Sequence, residues 1–400
     1  MSLPLDTLIL GGGAAGLWLL DNLTRHGHSA LLLEANALGH GQTVASQGII
    51  HGGLKYSLAG LLTDSADAIK HLPQLWRDCL AGRARPDLSH TALRSEFCHL
   101  WSTDSIMSRL GKLGASLALT VKPTSLPREE WPQLLTNCAG SVSRLDEQVI
   151  VPTSFVADLA SQHRHRILKI DAVNGLRFDV RVNGRVSCVT LTEEATHRTL
   201  EIQPKSVVLC AGQGNATLRT MLGLSAHAMQ RRSLHVTMAR GPLPWFNGHC
   251  VDGGKTRITI TSDTDSQGRT IWQLGGQVSE DGVAMERGAL IAHVKKELFA
   301  VMPDANTIDF SKVQWSTYCI DRAEGAMRNH QRPADAVILH EGNVITCWPT
   351  KLVLAPQASQ RIRALLPAAG ERLDVEMVAD WPRPTVALPP WESERDWIDG

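Results

Sequence analysis

The first 35 residues follow an order of apolar and polar positions that is typical of alternating strands and helices. An apolar run around Thr7 to Leu10 predicts a strand, and the glycine-rich turn after it leads into an apolar segment with helical spacing that extends to about His26. Gly27 suits the end of this helix, and the run ALLLE predicts the next strand. The pattern therefore predicts an α/β layer at the start of the chain.

Two later segments predict a return to this layer. The segment EQVIVPTSFVADLASQHRHRILKI predicts a loop, a helix capped by Thr153 or Ser154, and a strand. Residues 176–209 predict a run of strands in which Asn183-Gly184 forms a hairpin turn. We expect this small set of strands to belong to the same α/β domain.

A different pattern follows in the second half of the chain. Residues 229–278 alternate like antiparallel strands joined by polar turns, and residues 283–303 predict an amphipathic helix. We therefore expect two domains, each discontinuous in sequence: an α/β domain of residues 1–88, 149–226 and 333–400, and an α+β domain with an antiparallel sheet of residues 89–148 and 227–332. The proline-rich and acidic end, DWPRPTVALPPWESERDWIDG, is either an extended arm that packs on the body or a second subunit, or a disordered tail.

Composition excludes some functions. Lys plus Arg and Asp plus Glu both number 40 in the 400 residues, so no overall field favours nucleic acid or an anionic membrane. The eight cysteines are scattered singly, without the CxxC or Cys/His spacing of a metal site, which predicts no metal and a reducing cytoplasm. No apolar run reaches transmembrane length, so we expect a cytoplasmic protein and leave open peripheral contact with the cytoplasmic face of a membrane.

The turn after the first strand has the spacing of a dinucleotide-binding motif. Gly11-x-Gly13-x-x-Gly16 supplies a tight turn, a close approach of backbone to a pyrophosphate, and close packing of helix on strand. Glu34 ends the second strand, where a carboxylate accepts ribose hydroxyls in either FAD or NAD sites. A second GxGxxG with a suitable acid is missing from the sequence, which disfavours an NAD dehydrogenase or a two-nucleotide reductase.

The segment after Glu34, ANALGHGQTVASQGIIHGGLKY, favours a flavin. It is rich in Gly, Ala and Ser and has no helical period, so its backbone can approach the edge of a flat ring. Within it, ASQGIIHGGLKY resembles ASS-x-x-IHGGLRY of flavin-dependent glycerol-3-phosphate dehydrogenases and SGVIHAGIYY of L-2-hydroxyglutarate dehydrogenases. Both belong to the D-amino-acid-oxidase-like family of FAD-dependent oxidoreductases.

Two later stretches extend this resemblance. SVVLCAGQGNATL (residues 206–218) resembles the family's strand that ends in Ala-Gly, and CWPTKLVLAPQASQRI (residues 347–362) resembles GGKLTTYR-x-MA before the last helix. The resemblance implies FAD as cofactor and an α/β fold with a Rossmann-type FAD-binding domain and a discontinuous α+β substrate domain that carries an antiparallel sheet. The predicted cofactor-binding residues are Gly11, Gly13, Ala14, Ala15, Gly16, Glu34, Ala35, Thr43, Ser46, Gln47, Gly48, Ala211, Gly212, Thr350, Lys351 and Leu352.

Two of the candidate catalytic residues lie in the flavin segment. His51 is the candidate base, because imidazole changes protonation near neutral pH. Its alternatives are a structural hydrogen bond to FAD or backbone, and covalent attachment of the flavin. Lys55 is a candidate point charge for a phosphate or carboxylate, with a solvated surface lysine as the alternative.

Two further candidates come from the later part of the chain. Lys351 precedes the last helix, whose positive end would stabilise charge on reduced flavin, and an exposed cap residue is the alternative. The family's GxRP element lacks a clean counterpart, and Arg322 or Arg328 in YCIDRAEGAMRNHQRPADAVI is the nearest replacement. Arg322 suits a bidentate grip on an anion, with an ion pair to Asp321 or Glu324 as the alternative.

His235 and His249 flank VTMARGPLPWFNG in the predicted substrate sheet. Each could face the ligand, although buried histidines are more often structural residues whose hydrogen bonds are satisfied within the protein.

These residues predict an FAD-dependent oxidoreductase that oxidises a small anionic substrate at a C–OH carbon, a 2-hydroxy acid or a glycerol-phosphate-like compound, by hydride transfer to flavin N5. Oxidation of an amine or amino acid is the first alternative, and a non-catalytic flavin-binding subunit is an alternative of another class. Oxygen, a quinone and a partner protein all stay open as electron acceptor, and the sequence does not indicate an oligomeric state.

Overall fold

Two β-sheets organise the protein, which is described here by a computed structural model covering residues 2–52, 71–103, 123–252 and 255–400. The strands are β1 (Ser2–Leu10), β2 (Ala30–Glu34), β3 (Leu93–Ser95), β4 (Cys98–Ser102), β5 (Thr124–Ser125), β6 (Ser141–Leu145), β7 (Val149–Ile150), β8 (Ile167–Lys169), β9 (Leu176–Val180), β10 (Val186–Thr192), β11 (Thr199–Leu209), β12 (Met229–Gly241), β13 (Gly248–Asp252), β14 (Lys255–Thr264), β15 (Thr270–Gly275), β16 (Gln314–Gly325), β17 (Val337–Glu341), β18 (Val344–Trp348) and β19 (Ile398–Asp399).

Helices connect and cover these sheets. The α-helices in the described ranges are α1 (Ala14–Arg25), α2 (Leu72–Leu80), α3 (Pro152–Gln162), α4 (Asn215–Met221), α5 (Gln277–Asp281), α6 (Arg287–Val301), α7 (Ala355–Leu365) and α8 (Pro390–Ser393). None of them is long and apolar enough to cross a lipid bilayer.

The first sheet is the predicted α/β layer. Its strands run in the order β17, β18, β11, β1, β2, β8, and the four pairs from β18 to β8 are parallel. β9 and β10 extend it by antiparallel pairing onto β11, and Gly184 of the predicted hairpin has a φ of +76°. Because both faces are covered, the central strands are buried along their length, and in β1 every residue from Leu5 to Leu10 is buried, including Asp6 and Thr7.

Both faces of this sheet are covered. Helices α1, α2, α3 and α7 cover one face, where the aromatic side chains of Trp18, Trp76 and Phe155 pack on one another. Strands β9 and β10 pack with the opposite face, where Trp381 closes the core. Burial on both faces keeps the carboxyl ends of the parallel strands as the open edge of this domain.

The second sheet is the predicted antiparallel one. Its order is β19, β16, β12, β15, β14, β13, β4, β6, β5, and only β13 and β4 pair in parallel among its described strands. One face packs on α6, with Trp272 and Trp315 buried against Leu298. Since side chains alternate along a strand, the opposite face carries polar groups such as His249 and Tyr318 and lies against residues 45–52 of the first domain.

Two details differ from the sequence-based expectations or decide between them. Helix α3 begins at Pro152 with Val151 as its cap, because proline is pre-organised for the first helical position; Ser154 lies inside the helix and accepts a hydrogen bond from Ala92 N–H. The carboxy-terminal segment packs on the body as an arm, and Trp391 is buried in it.

Candidate active site

Two glycines of the glycine-rich turn are required by contacts within the protein, and a third leaves space for a ligand. Gly11 has a φ of +111°, and a Cβ there would lie 2.5 Å from Ala211 Cα; a Cβ on Gly16 would overlap the carbonyl oxygen of Gly11. Gly13 is different, since its φ of −82° is open to any residue and an added Cβ would meet only Thr43 Oγ1, at 3.2 Å. The backbone in front of Gly13 and the start of α1 therefore form a cradle that a side chain would fill, which fits a bound pyrophosphate.

Glu34 stands beside this cradle at the end of β2. Its Oε2 accepts a hydrogen bond from Gly12 N–H at 2.6 Å, and its Oε1 accepts one from Asn36 N–H at 2.7 Å. The carboxylate is half-buried and stays next to the turn, where it can accept ribose hydroxyls. The residues present thus fit FAD.

Two other predicted cofactor stretches reach the same edge. Gly212, with a φ of +55°, follows β11, and Ala211 N–H donates to Asn215 Oδ1 at 2.8 Å. The side chain of Asn215 then donates to the carbonyl of Cys347 at 3.1 Å and so joins the ends of β11 and β18. Thr350, Lys351 and Leu352 come next and enter the 3-10 turn before α7.

The flavin segment is tied to the first domain at two points. Thr43 Oγ1 accepts a hydrogen bond from Ala14 N–H at 3.1 Å, and Ser46 Oγ donates to Thr43 O at 2.8 Å. Gly48 has a φ of +71°, and a Cβ there would overlap the carbonyl oxygen of Ile150. The small residues of this segment therefore serve its close approach to the protein's own backbone.

The side chain of Gln47, a predicted cofactor contact, is held by the second sheet. Its Nε2 donates to the carbonyls of Thr259 and Gln273, both at 3.1 Å, which places the amide on the second sheet. Nearby, Tyr318 Oη donates to Ala45 O at 2.8 Å. The segment is therefore held between the two domains.

Arg322 lies on the face of β16 that is turned toward the flavin segment. Its Nη2 is 3.2 Å from Glu280 Oε1, and its Nε donates to the carbonyl of Arg232 at 3.3 Å. The ion pair is thus with Glu280, while the Asp321 carboxylate accepts from Ser233 Oγ. Burial lowers the pKa of Arg322 below its usual range, and the neighbouring Arg232 acts in the same direction.

His51 lies in a cluster with Glu147 and His249. His51 Nδ1 is 3.3 Å from Glu147 Oε2, and His249 Nε2 is 3.5 Å from the same oxygen. Burial by itself would raise the pKa of Glu147, but the two imidazoles outweigh burial and hold the pKa well below its usual range. His235, by contrast, contacts Thr317 Oγ1 and Gly282 O, which makes it a satisfied structural residue.

Sequence reasoning missed Glu147 entirely. It is 96 residues from His51, in a short link between β6 and β7, and nothing in LDEQVIV marks this carboxylate as functional.

Lys55, the remaining candidate, lies outside the described residues. Ala15 lies at the start of α1, and Ala35 directly follows β2.

The fold and the site define a flavoprotein oxidoreductase. A Rossmann-type layer presents a dinucleotide cradle at its open edge, and a second sheet faces the same segment with a histidine and an arginine. The family model for FAD dependent oxidoreductases (DAO) matches residues 6–345, so the chain belongs to this family of FAD-dependent enzymes.

Known proteins agree with this assignment. The chain is 38% identical over 397 residues to the probable FAD-dependent oxidoreductase PA4991 of Pseudomonas aeruginosa, with 98% of each chain covered. The crystal structure of PA4991 superposes with a TM-score of 0.81 at 34% identity, again over 98% of each chain.

More distant structures share the fold. Glycine oxidase from Geobacillus kaustophilus has a TM-score of 0.62 at 15% identity, covering 96% of this chain and 99% of that one. L-α-glycerophosphate oxidase from Mycoplasma pneumoniae, solved with FAD bound, has a TM-score of 0.61 at 13% identity. The match covers 99% of this chain and 100% of that one. At such identities the similarity concerns the fold alone.

Proposed function

We propose that this FAD-dependent oxidoreductase oxidises a small anionic substrate at a carbon that bears a hydroxyl group, a 2-hydroxy acid or a glycerol-phosphate-like compound. The observation that carries the proposal is the contact of His51 with the buried carboxylate of Glu147. A hydroxyl keeps its proton at neutral pH, so its oxidation requires a group that accepts this proton. An amine can release its ammonium proton to solvent before it reacts, and needs such a base less.

Each remaining group has a role in this proposal. Bound FAD supplies the acceptor for the hydride of the substrate carbon. Arg322, oriented by Glu280, binds the anionic end of the substrate, because a guanidinium can grip a carboxylate or phosphate with two hydrogen bonds. Lys351, at the start of the turn before α7, stabilises the negative charge that develops in the site during turnover.

The fold is shared with a glycerophosphate oxidase and a glycine oxidase at TM-scores of 0.61 and 0.62, so both substrate classes enter the test. The second candidate is oxidation of a small amino acid. Under that alternative, Arg322 keeps its role, and the His51–Glu147 pair is not needed for proton removal.

A direct test is anaerobic reduction of the bound flavin. The FAD-loaded protein is mixed in turn with 2-hydroxy acids, sn-glycerol 3-phosphate, glycine and other amino acids while the visible flavin absorbance is recorded. We expect bleaching with a hydroxyl-bearing anion and none with its amino counterpart. The matched control is His51→Gln, which should be bleached by dithionite and not by the substrate.

The outcomes separate the two candidates. Bleaching by amino acids alone would replace the first proposal with the second. A flavin that dithionite bleaches and no compound of either class bleaches would contradict both.

A further inference from the structure

Three buried or half-buried groups from distant parts of the chain meet behind the flavin segment. His51 lies in that segment, Glu147 lies between β6 and β7, and His249 lies on β13 of the second sheet. The imidazole rings of His51 and His249 are 5.8 Å apart between centroids and are tilted by 36°. The carboxylate of Glu147 occupies the space between the two rings.

Glu147 is fixed in place by its surroundings. It is only 1% exposed, and its Oε1 accepts a hydrogen bond from Gly52 N–H at 2.5 Å. Oε2 faces both imidazoles, at 3.3 Å from His51 Nδ1 and 3.5 Å from His249 Nε2. Because Oε1 accepts from the backbone of the residue after His51, the carboxylate is held beside the His51 ring.

His249 is oriented from its other side. Its Nδ1 lies 2.9 Å from the hydroxyl of Thr259, and the residue is 2% exposed. This contact turns Nε2 toward Glu147. A buried carboxylate requires hydrogen-bond donors or a positive partner, and the two imidazoles are placed to be those partners.

We propose that Glu147 and His249 are positioning residues for proton transfer by His51: Glu147 orients the His51 ring and balances the proton that His51 takes from the substrate, and His249 holds Glu147. The inference rests on the proposed function. Because Nδ1 of His51 contacts Glu147, the proposal assigns proton transfer to the other ring nitrogen, Nε2. In serine hydrolases, a buried carboxylate likewise orients the catalytic histidine and stabilises its protonated form.

Among the described residues, one further titratable group faces Glu147, the thiol of Cys98 on β4. Burial, together with the charge of Glu147, raises the pKa of this thiol well above its usual range. Cys98 therefore stays neutral at physiological pH. The other ionisable members of the cluster are then Glu147 and the two imidazoles.

A divalent metal ion is the competing occupant, because one ligand atom from each of the three residues lies within 4.8 Å of the other two. We favour the direct pairing of the three side chains because His51 lies in the flavin segment, and metal content is measured as one outcome of the test.

The test compares Glu147→Gln with Glu96→Gln in FAD-loaded protein. Glu96 is a matched control, since its carboxylate accepts from Gln148 Nε2 at 2.6 Å, one residue along from Glu147. NMR of ¹⁵N-histidine-labelled protein reports the tautomer and pKa of His51 without any substrate. Loss of the neighbouring carboxylate should lower the His51 pKa by about one unit or more and change its tautomer, while Glu96→Gln leaves both unchanged.

A kinetic measurement complements the spectra. With a compound that bleaches the wild-type flavin, Glu147→Gln should slow flavin reduction by about 10²-fold or more, and the rate should level off at a lower pH because His51 loses its proton more readily. Glu147→Asp should recover part of the rate. If Glu147→Gln does not fold, His249→Gln serves the same comparison with a smaller shift.

Two results would overturn the inference. One is a His51 pKa and tautomer that are unchanged in both variants. The other is stoichiometric zinc in the purified protein that is lost in Glu147→Gln, which would identify the cluster as a metal site. Failure of the proposed function has a different signature. In that case no compound bleaches the flavin, while the NMR titration still detects the coupling of His51 to Glu147.

Discussion

Gly13 and Gly16 are three residues apart and are glycines for different reasons. A side chain on Gly16 would collide with the carbonyl of Gly11, so this position closes the turn against α1 in the empty protein as well. At Gly13 an added Cβ would meet only Thr43 Oγ1, at 3.2 Å, and what the glycine mainly keeps open is the approach of the cofactor.

We therefore expect the two substitutions to separate folding from binding. Gly13→Val should leave the melting temperature of the apoprotein near the wild-type value and abolish retention of FAD on gel filtration, measured by flavin absorbance. Gly16→Val should lower the melting temperature or prevent folding altogether. A yellow, stoichiometric Gly13→Val protein would show that the cradle is not the pyrophosphate site.

Arg322 and Arg231 offer a second comparison at this scale. Arg322 is 14% exposed on the face turned toward the flavin segment, whereas Arg231 on β12 is 54% exposed and pairs loosely with Asp321 at 3.8 Å. Strand alternation sends these two side chains to opposite faces of the sheet.

Arg322→Met should raise the KM for the anionic substrate by about 10- to 100-fold, the effect of losing one charged hydrogen-bonding partner, with a smaller change in kcat. Arg231→Met should change neither value. Steady-state kinetics with the compound identified by flavin bleaching measures both, and equal KM values for the two variants would remove Arg322 from the substrate site.

At the scale of elements, Asp6 joins four parts of the first domain. The buried carboxylate accepts from Ser29 on the turn into β2, from Lys205 on β11 at 2.9 Å, and from the backbone N–H groups of Gly370 and Glu371. Burial by itself raises the pKa of Asp6, but these donors outweigh it and lower the pKa from 3.8 to about 2.

This lowered pKa predicts an acid-dependent stability. Ionised Asp6 adds about 2 kcal/mol to the free energy of unfolding. This stabilisation is fully present above the pKa of the unfolded state, near 4, and is lost as the pH falls through the folded-state pKa of about 2. Asp6→Asn should therefore unfold more easily in urea at neutral pH, and the gap to wild type should shrink below about pH 4. Asp179→Asn, at a 52% exposed position on β9, is the control with little change. A gap independent of pH would assign the effect to packing instead of charge.

The sequence predicts elements well where their determinants are local. The strand, turn and helix around Gly11 follow from spacing within about 30 residues, and β9 and β10 follow from one Asn-Gly turn. Glu147 and the sheet contacts of Gln47 escape such reasoning, because their partners lie 96 and more than 200 residues away. Such pairings depend on how the two sheets pack, which a single sequence does not encode in any periodic pattern.

At the scale of the whole molecule, the carboxy-terminal arm spans both domains. It bridges to Leu38 of the first domain through Val386, and its Trp391 packs on Met238 and Ile271 of the second sheet. Arg94 lies near the same place, where its guanidinium pairs with Asp263 and donates to Gln47 O at 3.2 Å. The arm thus covers one side of the junction that holds the flavin segment.

We expect Trp391→Ala to destabilise the protein by about 3 kcal/mol, as for other buried aromatic residues, and to weaken FAD retention because the two domains lose a shared contact. Trp245→Ala, at a position 49% exposed, should cost about 1 kcal/mol or less. Thermal unfolding with and without added FAD measures both effects. Equal losses of stability for the two variants would show that the arm does not fasten the domains.

The pairing of β19 with β16 affects the order in which the sheets can form during synthesis. Gln314 pairs with Asp399, and Ser2 of β1 pairs with Glu201 of β11, so both sheets are completed by residues synthesised long after their first strands. Contacts between such distant parts of a chain form slowly. During translation, the apolar strand β1 therefore stays without its neighbour on one side for about two hundred residues of growth, and we expect the nascent chain to bind chaperones that recognise extended apolar segments.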